Sequence, residues 1–418
     1  MVTLAAVLDS VHARAPLMQA ARARARAVRG DRTTAGTFEN PFLMYQVENT
    51  PFPGGPPMVG VPVERMTTAT LPLAPLYQRG SRVRQAEANV RAADAEARGV
   101  SQSLISDAAR AYYRVALAQV AVDAADNVSN WLDSLVAYNR SRVQQGALAE
   151  ADLIRTELER DRARADGSMH AAELARARVA LAAYLGEPTA RALNLRVAVD
   201  DMPLRMPSES VRDADSVSMQ EIARRPDVLA GRERLAAGDA GVSLEQRLLL
   251  RDVGAVFGVK TMLGMHTMVA GFTLPIPLLD QNRGSRARAK AELEAAAFGA
   301  EAAQREARAD IIGAEEAARI LTVRATALAV RDSAGNDIAY LQRANSARAI
   351  ALGAFREGAV SLLQVLDAAR AWSDARVTYF RTLFAQHEAV ISLLIARGDE
   401  LPTTLPLLMP ANTRGSTR

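Results

Sequence analysis

The sequence contains no cysteine, which excludes disulfides, thiolate metal sites and a cysteine nucleophile. Aromatic residues are only 5% of the 418, although 49% are apolar. The apolar share is carried by Ala, Leu and Val, a composition suited to extended helices that pack closely and not to a thick globular core. No apolar run approaches the ~20 residues of a membrane-spanning helix. The opening MVTLAAVLDSVHARAP lacks the basic start and apolar centre of a signal peptide, so the chain is read as mature, trimmed or started late, and without a cysteine no lipid anchor is expected. On helices alone it reads as soluble, but short membrane strands leave a much weaker signal per segment. An excess of charge is also missing: the net value is +4 with acidic residues interleaved, so nucleic acid is not implied as a partner. HExxH, GxSxG, P-loop and dinucleotide glycine patterns do not occur, and neither an enzyme nor a cofactor is read.

What is present is a plan written twice. TLPLAPLYQRGSRVR, from Thr70, returns as TLPIPLLDQNRGSRAR, from Thr273. Ala13, Arg14, Pro16, Ala20 and Arg22 match Ala223, Arg224, Pro226, Ala230 and Arg232. QQGALAEADLI around Gly146 matches REGAVSLLQVL around Gly358. Three matches in one order point to duplication of a whole structural unit.

Proline is absent between Pro75 and Pro188 and between Pro277 and Pro402, so two long stretches meet no obligate helix breaker. In the first, small or apolar residues recur at alternating spacings of three and four from Val83 through Val100 to Leu104. The pattern skips four to Ala108 and resumes through Val115 and Val122. The second repeats it from Ala289 through Ala307 and from Ile311 to Leu321. These are heptad seams with one stutter each. At ~1.5 Å per residue the first helix is roughly 100 Å long. Gly146 and Gly358 are the expected reversal points.

Four runs read as strands: about 41–50, 61–73, 252–260 and 266–276. Leu43, Tyr45 and Val47 alternate with Met44, Gln46 and Glu48; Ala255, Phe257 and Val259 oppose Gly254, Gly258 and Lys260. Their lengths approach the ~9 to 11 residues of a spanning strand. Four strands cannot close a barrel, since the smallest bacterial single-chain barrels use about eight, so several chains must share one. The expected organisation is mainly α with a small β part. A first repeat covers 1–185 (hairpin 77–185), a linker 186–215, a second repeat 216–398 (hairpin 283–398), and a flexible tail 399–418.

This order, with Asn40-Pro41 entering the first strand, the TLPL and TLPIPL exits running into RGSR, and the tip GAVSLLQVLDAARA from Gly358, resembles the TolC family of outer-membrane efflux ducts over nearly the whole chain. The resemblance implies a homotrimeric α-helical barrel topped by a shared 12-stranded transmembrane β-barrel in outer-membrane lipid. It also implies a periplasmic adaptor and an inner-membrane pump, of RND type, meeting at the tips. By position it makes Asp367 and Asp152 aperture residues, with Gln364 where the family often has a second aspartate and Phe355 where some members have a tethering tyrosine. Asp152 and Asp367 as ordinary first-turn acids is the competing reading. The tips Gln145-Gly146-Ala147-Leu148 and Glu357-Gly358-Ala359-Val360 are the implied adaptor contacts. A soluble or periplasmic coiled-coil scaffold or adaptor is the alternative from another class.

For cargo, KTMLGMHTMV places Met262, His266 and Met268 on one side by simple alternation, a soft set for Cu(I) or Ag(I). With VENTPFPGGPPM it resembles the heavy-metal branch of the family. Methionine as flexible packing is the competing reading.

Overall fold

A computed structural model of the chain describes residues 1–50, 52–55, 60–186, 192–206, 217–331 and 338–399. Parts of VENTPFPGGPPM, parts of the expected linker and the tail from residue 400 lie outside the described residues. The elements run α1 (Leu4–Arg14), α2 (Pro16–Gly36), β1 (Phe42–Glu48), β2 (Glu64–Pro72), α3 (Ala74–Gln144), α4 (Glu150–Leu185), α5 (Met219–Arg224), α6 (Pro226–Arg247), β3 (Gly254–Met262), β4 (Met265–Thr273), α7 (Arg283–Leu328), α8 (Ala339–Arg356) and α9 (Leu362–Ala396). Among the described residues no helix is long and apolar enough to cross a membrane.

The duplication is visible in backbone geometry. Ala15 (φ −59°, ψ 125°) ends α1 and Arg225 (φ −63°, ψ 138°) ends α5, each immediately before a proline that opens the next helix. Proline forces its predecessor out of the helical region and suits the first position of the helix it begins. The start of α5 is fixed by Ser218, which accepts from the Glu221 N–H at 3.2 Å while the Glu221 carboxylate accepts from the Ser218 N–H at 3.1 Å.

The chain forms two compact units that do not follow the repeats; each takes part of both. One contains residues 21–97 and 226–305, the other 1–20, 98–225 and 306–418. A single repeat offers too little partner surface to bury its own apolar stripes.

In the first unit the four strands form one antiparallel sheet in the order β1-β2-β3-β4. Thr68 faces Met44 on one side and Gly258 on the other, and Phe257 faces Ala270. The β2–β3 ladder therefore joins the strand pairs of the two repeats. Gly258 makes this possible, because a Cβ there would lie 2.2 Å from the Thr67 carbonyl oxygen and 2.6 Å from Thr68 Cγ2.

In the second unit the core gathers Leu4, Val7, Leu8 and Val11 of α1 with Tyr112, Tyr113 and Val115 of α3, Leu181 of α4 and Tyr379, Leu383 and Phe384 of α9. Described linker residues lie against this core. Val2 and Val197 form a parallel bridge. The Gln119 amide exchanges hydrogen bonds with Val197 at 3.0 and 3.1 Å, and the fully buried Gln386 amide does the same with Leu204 at 3.0 and 2.8 Å. These side chains replace the backbone partners that an irregular buried segment lacks.

The second long hairpin departs from expectation. It is not two unbroken helices: α7 stops at Leu328, Arg331 and Ile338 form an antiparallel bridge, and α8 starts at Ala339. The intervening DSAGND (332–337), outside the described residues, carries no proline but is rich in turn formers. The seams also bury unevenly. Leu104, Ala108 and Val115 are buried, whereas Val83, Val90 and Val100 are half-buried; on α7, Ala307, Ile311 and Ala318 are buried but Leu293, Ala296 and Leu321 are half-buried.

Candidate functional site

The sheet has two unlike faces. One carries Leu43, Tyr45 and Val47 of β1, Ala69 and Leu71 of β2, Phe257 and Val259 of β3 and Met268, Ala270 and Phe272 of β4, with Arg65, Thr261 and His266 as its polar row at the turn end. It is mainly apolar and open: Leu43 is 76% exposed and Phe272 78%. The other carries Gln46, Glu48, Glu64, Thr68, Thr70, Lys260 and Thr267. Glu64 and Lys260 form an ion pair there, and Gln46 donates to Glu48 at 2.7 Å. Thr68, at 2% exposure, shows how the central strands crowd on this side. An apolar band opposite a polar face is the pattern of a strand wall between lipid and water. Strands of seven to nine residues lie just short of or at the ~9 to 11 such a wall needs.

The proposed metal set needs correction. β3 and β4 are joined by the two-residue turn Leu263-Gly264, with φ of 49° and 77°, the hairpin geometry that matches strand twist. Across it Met262 pairs with Met265, Thr261 with His266 and Val259 with Met268. Met262 thus shares the polar face with Met265, and His266 and Met268 lie on the apolar face. Counting every second residue straight through a tight turn assigns the wrong side, because directly opposed residues share a face.

The tips, in the other unit, are near copies of one another. At the first, Ala147 donates to Arg142 O at 2.8 Å and Gly146 to Val143 O at 2.9 Å; at the second, Ala359 donates to Ala354 O at 2.8 Å and Gly358 to Phe355 O at 3.0 Å. This is the same two-bond helix ending twice, closed by glycines at φ 71° and 77°. Gly146, Ala147, Gly358 and Ala359 are exposed, and Leu148 and Val360 are half-buried.

Of the expected aperture residues, Asp152 is half-buried on α4 and Gln364 is exposed on α9, its amide oxygen accepting from the Ser361 N–H at 3.2 Å. Asp367 is 61% exposed and 3.7 Å from Arg370, which is also paired with Glu159 of α4. That hydrogen bond to Glu159 raises the Arg370 pKa. Phe355 is 6% exposed and packs with Val128, Leu132, Leu362 and Val365, its ring 6.4 Å from that of Tyr138. Above this cluster Arg348 lies over the Trp372 ring at 4.2 Å, and burial lowers its pKa. A groove of about 410 Å³ between α3, α4 and α9 is lined by Leu132, Ala163, Asp166, His170, Leu366 and Asp374 among others. Sequence reading missed this groove, the Glu64–Lys260 pair and the two glutamine clamps, none of which has a local motif.

This fold, with a four-stranded antiparallel sheet and duplicated helical hairpins, is that of outer-membrane channels. The chain matches a crystal structure of CusC with a TM-score of 0.75 at 18% identity, covering 95% of this chain and 92% of that one. It matches the outer-membrane channel OprN at 0.75 and 20%, covering 95% and 90%, and VceC of Vibrio cholerae at 0.75 and 17%, covering 95% and 96%. Residues 63–187 match the family model described as Outer membrane efflux protein. Among curated relatives, the cobalt-zinc-cadmium resistance protein CzcC of Cupriavidus metallidurans is 25% identical over 320 residues, 76% of this chain and 72% of the relative. The cation efflux system protein CusC of Escherichia coli K12 is 24% identical over 322 residues, 74% and 67%. The chain is thus similar to outer membrane efflux proteins, by sequence over residues 63–187 and in fold over most of its length.

Proposed function

We propose that the chain is one subunit of an outer-membrane exit duct, passively conducting substrates that an inner-membrane pump delivers through a periplasmic adaptor. The observation that carries this is the sheet: four strands, an exposed apolar face, a polar face, and unpaired outer edges on β1 and β4. An open edge in lipid leaves backbone groups without partners, and only closure removes it. Three chains supply enough strands for a barrel, above the minimum of about eight. Exposed Phe298, Val323 and Ile350 on α7 and α8, and the half-buried seam of α7, are apolar surface for neighbouring helices to cover.

Within that assembly the glycine tips are the adaptor contacts, where exposed small residues permit close approach. Asp367 and Asp152, with Gln364, set the charge of the aperture. The relatives named for cobalt, zinc, cadmium and cation efflux favour metal cations as the cargo. The test is the mass of the detergent-purified protein together with its conductance in a planar bilayer. A trimer that opens ion-conducting pores is expected; a detergent-free, water-soluble monomer would overturn the reading.

A further inference from the structure

Five of the 13 methionines, Met44, Met66, Met262, Met265 and Met268, lie in the four strands. The register sorts them unevenly. Met44 faces Thr68, Met66 faces Gln46 and Lys260, and Met262 faces Glu64 and Met265. All four of these lie on the polar face, and Met268 alone lies on the apolar one, 85% exposed. A methionine used as apolar filler belongs on the face toward lipid. Four stand on the opposite face, where Gln46, Glu48, Glu64, Thr68, Lys260 and Thr267 outnumber the apolar Phe42, Val256 and Val269.

Passing from β1 to β2 to β3, each step moves one strand across and one row along, from Met44 to Met66 to Met262, and Met265 stands directly beside Met262. Direct cross-strand neighbours are ~5 Å apart and diagonal ones ~7 to 8 Å, within reach of long side chains. The last row reads Glu48, Glu64, Met262, Met265 across all four strands. Lys260 is already paired with Glu64, so Glu48 leaves this end of the row with a net negative charge.

We propose that Met44, Met66, Met262 and Met265 form a continuous row of thioether stations for a soft monovalent cation, Cu(I) or Ag(I), along the water-facing wall of the barrel. Thioethers favour such ions over hard or borderline divalent ones. One or two thioethers at each station bind weakly enough for the ion to move on, as conduction requires. The row rests on the duct reading above, which makes the polar face the pore lining, and it names a cargo class for that pore.

The test uses the assembled, detergent-purified protein labelled with 13C at the methionine methyl groups and titrated with silver nitrate in chloride-free buffer. Methyl resonances, assigned by single Met→Leu variants, are expected to move for Met44, Met66, Met262 and Met265 and to stay for Met268; zinc nitrate is expected to move none of them. The double variant Met66→Leu, Met262→Leu, which conserves volume, is expected to lower silver affinity at least tenfold while retaining the assembled state on a gel. Unmoved resonances, an equal response at Met268, or unchanged affinity in the double variant overturns the row. Bilayer conductance of potassium separates the two claims: a conducting assembly that ignores silver sinks the row and leaves the duct, whereas a non-conducting monomer sinks both.

Discussion

Asp152 and Gln364 occupy the same position in their respective helices, three residues beyond the N-caps Ala149 and Ser361. Gln364 holds the Ser361 N–H there, so its capping role is satisfied without charge. The acidic group nearest on that helix is Asp367, one turn on. If these side chains line the aperture, charge selectivity follows them. Asp367→Asn is expected to reduce cation over anion permeability several-fold, and Gln364→Asp to raise it. Reversal potentials across a potassium chloride gradient measure both.

His387 is fully buried; its Nε2–H donates to the Met202 carbonyl at 3.0 Å, and Nδ1 has no partner. Desolvation is the larger influence and lowers its pKa to about 4, against the opposing pull of the Met202 hydrogen bond. The unfolded chain, with an ordinary histidine near 6.5, binds more protons between these values. Stability is therefore full above about pH 6.5 and falls as the pH drops toward 4, by ~3 kcal/mol at most from this group. Burial raises the Glu388 pKa, an effect of opposite sign, so the informative quantity is the difference between wild type and His387→Gln. The acid-dependent loss of melting temperature is expected to shrink in the variant; an unchanged pH profile refutes the assignment.

Gly146 and Gly358 have positive φ, and a Cβ would meet no atom within 4 Å at either. Alanine therefore brings backbone strain without a clash, about 1 to 2 kcal/mol. Both Gly→Ala variants are expected to fold and to speed amide exchange of the last turn at their own tip only. Asparagine, which tolerates this conformation, is expected to cost less.

Gly258 is the contrary case, because its missing Cβ would collide with backbone. Gly258→Ala is expected to break the β2–β3 ladder and abolish the heat-modifiable band on a gel. Adding Thr68→Ala is expected not to restore the band, since the Thr67 carbonyl remains in the way.

Sequence reading succeeded where physics is local. Glycine at 146 and 358 and alternation within each strand act over a few residues, and the structure has helix ends and paired strands there. It failed where a second segment decides the outcome. The side to which Met262 belongs depends on a turn of two residues, and the end of α7 at Leu328 falls where no proline signals it. Gln386 and Gln119 look like ordinary helix-surface residues until Leu204 and Val197 come to meet them. Tyr112 and Tyr113 are buried beside the alanine seam, where burial raises both hydroxyl pKa values and keeps them neutral. For the aperture residues, helical phase was readable, but whether a carboxylate faces a pore depends on chains beyond this one.

The β2–β3 ladder turns one joint of the wall into an intramolecular contact, held at high effective concentration by the polypeptide itself. Fusion also frees the two halves to drift apart in chemistry while sharing a backbone. Met44 and Met66 come from one half, Met262 and Met265 from the other, and their positions are not copies. In the proposed trimer two unlike panels would alternate, so any path along the inside would have three-fold symmetry even where the peptide scaffold approaches six.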